Sequence, residues 1–147
     1  MSLSFRILLA LAGLASFTPA LLAQTVYTWS STTSGNWTDA ANWVGNTAPV
    51  SGAGAVVVFG GNTNYTATQN FSSSPFDLTA LRFTNSGNVT IDGSPTTNAI
   101  RFLNANSLLP TLSASGSGNV TISTPMTWAA NTLVRNSGSG TLAFSGN

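Results

Sequence analysis

The chain has 147 residues, 42% hydrophobic and only 5% charged, with four Arg against three Asp and no His, Cys, Lys or Glu. An average soluble domain carries about 25% charged residues, yet the apolar share here is large enough for a core, which excludes a charge-driven disordered chain. Without Cys there are no disulfides or thiolate metal sites; without Lys there is no Gly-rich phosphate loop of the Gly-Lys type, and no basic patch for nucleic acid.

The N-terminus reads as an export signal, assigned to residues 1–23. Arg6 supplies the positive charge, Ile7 to Ala15 forms a compact apolar run, Pro19 breaks it, and Leu21-Leu22-Ala23 before Gln24 offers a cleavage site. A membrane anchor would need about 20 uninterrupted apolar residues, and Ser16, Thr18 and Pro19 interrupt this run. Once Arg6 is removed the mature part is balanced between Arg and Asp, and an extracellular or cell-surface location is expected.

Residues 24–54 are rich in tryptophan: Trp29, Trp37 and Trp43 lie there with Tyr27. Thr38-Asp39-Ala40-Ala41 is the one place a short helical turn is expected, with Thr38 or Asp39 as cap. Residues 55–147 read as strand and turn. Ala55-Val56-Val57-Val58-Phe59 is a continuous apolar run, as in a strand covered on both faces, and Tyr65 to Gln69 alternates. Five apolar-x-apolar triplets follow: Leu81-Arg82-Phe83, Val89-Thr90-Ile91, Ile100-Arg101-Phe102, Val120-Thr121-Ile122 and Leu142-Ala143-Phe144. In each, the first and third side chains share one face. Gly/Ser/Asn/Asp clusters separate them as turns.

The unit recurs in spacing as well as type. Leu81-Arg82-Phe83 returns as Ile100-Arg101-Phe102 nineteen positions on, Gly87 to Ile91 is copied by Gly118 to Ile122, and Ser-Gly-Ser-Gly occurs at 115 and again at 137. Strands this short bury a core only by stacking on copies of themselves. The expected fold is all-β, a parallel β-solenoid over 55–147 with a Trp-rich cap over 24–54. The alternative is an antiparallel β-sandwich, whose turn signals recur on a similar scale.

The order Trp29, Gly35-Asn36-Trp37, Ala41-Asn42-Trp43, Gly45, Pro49, Val57-Val58-Phe59 resembles the opening of secreted proteins with autotransporter-associated β-strand repeats. The segment Gly138 to Asn147 is similar to the first half of that repeat, G-x-G-T-L-x-L-S-G, with Phe144 where the family has Leu. The likeness covers about residues 25 to 60 and the last ten; the middle matches only in texture. It implies a right-handed β-helical passenger, displayed at or beyond the outer membrane. Family members end in a membrane β-barrel or a short sorting segment, and the residues up to Asn147 contain neither. The expectation is an N-terminal part of a longer protein, held to a membrane only through a C-terminal anchor outside these residues.

Catalysis has little to draw on. Asp39, Asp77 and Asp92 are the only carboxylate side chains, and a glycosidase needs two within about 5 to 10 Å. Asp92, in Asp-Gly, and Asp77, after Pro75-Phe76, read as turn residues. No metal and no cofactor are expected. Two groups have binding chemistry. Arg82 and Arg101, mid-triplet and outward, would stack on one outer face and grip an anionic sugar, or simply cover strand surface. Trp29, Trp37 and Trp43 would stack on sugar rings, or plug the end of the solenoid. Five Asn-x-Ser/Thr sequons, at Asn36, Asn64, Asn70, Asn88 and Asn119, are expected by composition alone. The function read from all this is a non-enzymatic exported structural or adhesin-like segment, whose partners would be glycans or proteins of a host or matrix surface. The alternatives are a carbohydrate-binding module using exposed Trp, or a fragment of a polysaccharide-active β-helix enzyme.

Overall fold

The computed structural model describes residues 23–72, 75–93, 98–105 and 107–146; nearly all of the export signal, residues 1–22, lies outside them. No helix among the described residues is long and apolar enough to cross a membrane.

The described residues are all-β. Thirteen short strands follow in order: β1 (Thr25–Thr28), β2 (Gly35–Asn36), β3 (Ala55–Phe59), β4 (Tyr65–Gln69), β5 (Phe76–Leu78), β6 (Ala80–Phe83), β7 (Val89–Gly93), β8 (Ile100–Phe102), β9 (Thr111–Ala114), β10 (Val120–Ile122), β11 (Met126–Trp128), β12 (Leu133–Asn136) and β13 (Leu142–Phe144). The apolar run and the alternating Tyr65 segment are β3 and β4, and each of the five triplets lies in a strand. The expected helical turn is a 3-10 turn, Ala40–Asn42, capped by Asp39, whose Oδ1 accepts from the Ala41 amide at 3.1 Å.

The strands form three sheets, in the orders β1-β3-β6-β9-β12, β2-β4-β7-β10-β13 and β5-β8-β11. From β3 onward the chain visits the first, second and third sheet in turn and then returns to the first. Every ladder between these strands is parallel. Parallel neighbours need a long crossover and not a tight hairpin, so the antiparallel sandwich is excluded.

Register shows the size of each cycle. In the first sheet Thr25 pairs with Ala55, Val56 with Ala80, Ala80 with Thr111 and Thr111 with Leu133, advances of 30, 24, 31 and 22 residues. The variation is in the connections: Thr79 alone joins β5 to β6, whereas Leu103 to Pro110 join β8 to β9. One sequence repeat is thereby corrected. Leu81-Arg82-Phe83 lies in the first sheet and Ile100-Arg101-Phe102 in the third, so these triplets are not successive copies. Val89-Thr90-Ile91 and Val120-Thr121-Ile122 are direct partners in register.

Alternation decides what is buried. Val57, Leu81 and Leu112 form one continuous column, each 0% exposed. Phe59 stacks on Phe83, its register partner, at 5.6 Å between ring centres. Two polar devices fix the register beside these columns. Asn64 Oδ1 accepts from the Asn88 amide at 2.7 Å, Asn88 Oδ1 from the Asn119 amide at 3.1 Å, and Asn119 Oδ1 from the Thr141 amide at 3.0 Å. Three of the sequon asparagines are thus the steps of a hydrogen-bond ladder. The second device is a stack of Ser/Gly turns packed backbone on backbone: a Cβ added to Gly138 would meet the Gly116 carbonyl oxygen at 1.9 Å, and one on Gly140 the Gly118 oxygen at 2.1 Å.

Candidate functional site

The candidate contact residues fall in different places. Trp29, Trp37 and Trp43 are 4, 0 and 1% exposed. The chain turns at Ala40–Asn42 and again at Val44–Asn46, where Gly45 takes φ of 75° and Asn46 of 52°, a left-handed bend that favours Gly and Asn. This folds Trp43 back onto Trp29, edge to face at 5.1 Å, and onto Trp37 at 5.9 Å. The Trp43 Nε1 donates to the Trp37 carbonyl at 2.8 Å. Trp37 also packs on Phe59 and Phe76, at 5.5 and 5.3 Å. Sugar stacking needs an open ring face, and these rings spend theirs on one another. The reading of Trp29, Trp37 and Trp43 as sugar-contact residues is corrected on this point, and they form part of the core.

Tyr65 belongs to the same cluster. It lies parallel to Trp29 at 5.8 Å, and its hydroxyl donates to the Gly60 carbonyl at 2.9 Å. Burial pushes its phenol well above the ordinary tyrosine value of 10.0. Above about pH 10 an unfolded chain gives up that proton while the folded chain keeps it. Stability is therefore expected to be flat up to that pH and to fall beyond it, with a limiting slope of about 1.4 kcal/mol per pH unit for one proton. Urea melts from pH 8 to 11 check this, and Tyr65→Phe should flatten the alkaline limb.

The two arginines do not form a pair. Arg82 is exposed on β6, where its register partners are Val58 and Ser113. Arg101 lies on β8 in the third sheet, directly beside Asp77 of β5. Its Nε and Nη2 donate to Asp77 Oδ1 and Oδ2 at 2.7 and 2.8 Å, a two-pronged pair. The hydrogen bonds and charge of Asp77 hold the Arg101 guanidinium above its ordinary value. The expected stacking of Arg82 and Arg101 on one outer face is thereby corrected: they lie on different sheets, and one already holds a carboxylate. Exposed pairs contribute little and are screened by salt. Arg101→Gln is expected to lower the melting temperature slightly at low ionic strength and not at all in high salt, which thermal melts at two salt concentrations check.

The remaining carboxylates are engaged locally. Asp39 caps its turn, and Asp92 Oδ1 accepts from the Gly93 amide at 2.8 Å. Asp77 and Asp92 lie on different sheets, the third and the second. No group of three or more metal-ligating side chains occurs among the described residues.

The two ends of the sheets differ, and this contrast defines the candidate site. At the β1–β2 end Asn42 covers the β2 edge, its Nδ2 donating to the Asn36 carbonyl at 3.0 Å. Ser51 and Gly52 cover β5: Ser51 Oγ accepts from the Asp77 amide at 2.8 Å, and the Gly52 amide donates to the Asp77 carbonyl at 2.9 Å. At the other end β11, β12 and β13 are, among the described residues, the last strands of the three sheets. Trp128, Val134 and Phe144 occupy the same columns as the buried Phe102, Leu112 and Ile122, yet they are 45, 46 and 46% exposed. Trp128 stacks one face on Phe102 at 4.8 Å. Its surroundings, with Asn131, Thr132 and Val134, form an open depression of about 430 Å³. Sequence reasoning missed Trp128; its place in Met126-Thr127-Trp128, an alternating triplet like the other five, was the available signal.

No protein-family model, no curated protein and no solved structure matches the chain.

Proposed function

We propose that residues 24–146 are the capped first turns of a right-handed parallel β-helix, and that the protein is an exported, non-enzymatic structural or adhesin-like segment presenting that helix as a stalk at a cell surface or in an extracellular matrix. The observation that carries this reading is the cyclic order of strands through three parallel sheets. Parallel crossovers within a sheet are right-handed in about 98% of cases, and successive turns in one sense wind the sheets around a common axis. The Trp29–Trp37–Trp43 cluster serves as the cap that the first turn of a stacked fold needs to keep its core from water.

Chemistry supports a structural role over a catalytic one. The enzyme-fragment reading depends on Asp77 and Asp92 acting together, and each already has a local partner. The carbohydrate-module reading rested on three tryptophans that are buried. Export and surface display rest on the N-terminal sequence and on the family resemblance.

The cysteine-free chain makes a clean test of the winding. Thr90 and Thr121 are half-buried register partners on β7 and β10, 31 positions apart. The pair Thr90→Cys and Thr121→Cys is expected to close a disulfide under mild oxidation, whereas Arg82→Cys with Arg101→Cys, on different sheets, is not. Turnover of a polysaccharide by the purified chain, lost on Asp92→Asn, would overturn the non-enzymatic role.

A further inference from the structure

We propose that the outer face of the first sheet binds a linear acidic polysaccharide, held through its carboxylate or sulfate groups by Arg82 and Arg135. The face is built from the parallel ladders already described. Its use in adhesion rests on the adhesin-like reading, which it makes specific by naming the class of partner.

Register brings the two guanidiniums to one line. Arg82 pairs with Ser113 and Ser113 with Arg135, so the three stand in one column on β6, β9 and β12. Alternation fixes the side. Leu81 and Leu112 turn into the core at 0% exposure, and the neighbouring Arg82 is exposed on the opposite face, as is Arg135. Neighbouring strands lie about 4.8 Å apart, which sets the two arginine positions about 10 Å apart along the stack. That is close to the advance of two sugar units in an extended chain. A further turn stacked on β12 would lengthen this column along the axis and leave its outer face uncovered.

Charge is sorted between the sheets. Arg101 is spent on Asp77 in the third sheet, Asp92 lies on the second, and Asp39 caps a turn beside the tryptophans. No carboxylate occurs on any strand of the first sheet. Among the described residues, the two arginines without an ion-pair partner therefore share one face. A chain with balanced charge after residue 23 presents a positive strip there, complementary to a polyanion.

A second column selects sugar over other polyanions. Thr84, Ser115 and Ser137 stand two residues after Arg82, Ser113 and Arg135, exposed on the same face. Their hydroxyls donate to the carbonyls of Phe59, Phe83 and Ala114 on the preceding turn, at 3.5, 3.3 and 3.4 Å. A hydroxyl whose proton is committed offers lone pairs to a ligand. Sugar hydroxyls can donate to that row while acidic groups take the guanidinium forks in two-pronged pairs. Polyphosphate has the anionic groups and lacks the donors.

Titration of the full chain with polygalacturonate and with heparin tests this. The expected result is saturable binding that weakens as salt is raised, with no binding of neutral dextran. Arg82→Gln and Arg135→Gln should each weaken it about tenfold, as loss of a charge-assisted hydrogen-bonding group requires, and the double variant should not bind. Arg101→Gln removes the same charge from the third sheet and should leave affinity unchanged. Ser115→Ala should weaken polysaccharide binding and leave any binding of polyphosphate as it was. Cooperative urea unfolding of each variant shows that it is folded.

No saturable binding of either polymer at low salt by the folded chain would overturn the proposal. Equal weakening by Arg101→Gln would do so too, since net charge and not this face would then be responsible. Polyphosphate bound as tightly as the polysaccharides, with Ser115→Ala indifferent to both, would reduce the face to a general anion surface and remove the sugar. Shortening of the polymer during incubation would instead count against the non-enzymatic role, and failure of the Thr90–Thr121 disulfide against the winding; both are read separately from binding.

Discussion

Replacing Gly118 by Ala is expected to destabilise the protein by more than about 3 kcal/mol, at or beyond the upper end for one added methyl group in a packed interior. The reason is what surrounds the new Cβ. It would lie 1.9 Å from the carbonyl oxygen of Gly87 and 2.6 Å from its carbonyl carbon. Both are backbone atoms, so no side chain can swing aside and the turn must move. That turn also holds the Gly118 amide on the Asn85 carbonyl at 3.0 Å, and it leads through Asn119 into β10. Lifting it strains the ladders on both sides of β10, so the cost is shared by two turns of the stack. Gly52→Ala is the control, since its added Cβ would meet nothing within 4 Å; it is expected to fall within about 0.5 kcal/mol of the parent. Urea unfolding of the three proteins measures both, and equal stability of Gly118→Ala would remove the turn stack as a determinant of the fold.

The stack was partly visible in the sequence. Triplets showed where apolar faces recur, and the repeated Gly-Asn-Val-Thr-Ile showed two turns whose register the structure keeps. What similarity could not show was which triplets are neighbours. Leu81-Arg82-Phe83 and Ile100-Arg101-Phe102 look like copies because both answer the same local demand, a three-residue strand with one outward residue. Their sheet is decided by connection lengths, from a single Thr79 to the eight-residue passage Leu103 to Pro110, and nothing local encodes those. Two of the three strands of the third sheet, β5 and β11, were overlooked for a related reason. Pro75 and Pro125 stand immediately before β5 and β11, and proline reads as a bend; ahead of a first strand residue it is compatible with the ladder. The Pro125 carbonyl in fact accepts from the Ile100 amide at 2.8 Å. The aromatic group was legible as a cluster, but not as buried. That outcome depends on the left-handed bend at Gly45 and Asn46, which brings Trp43 back over Trp29.

Trp37→Ala should bring the second large loss, about 3–5 kcal/mol, a major part of the 5–15 kcal/mol that holds an ordinary domain together. Trp37 follows β2, is 0% exposed, and touches Trp43, Phe59 of β3 in the first sheet and Phe76 of β5 in the third. A cavity there opens among side chains contributed by all three sheets. Phenylalanine substitutions separate volume from hydrogen bonding. The Trp37 Nε1 has no hydrogen-bond partner among the described residues, so Trp37→Phe loses volume alone, about 1–2 kcal/mol. Trp43→Phe loses similar volume and also takes the Nε1 donor away from the buried Trp37 carbonyl, which adds about 1 kcal/mol. Trp43→Phe should therefore be the less stable of the two in urea. Trp128→Ala supplies the contrast, because that ring is already 45% exposed and has one aromatic partner, Phe102. A small effect at Trp128 beside a large one at Trp37 is the expected mark of one ring half exposed on β11 and the other sealed in the core.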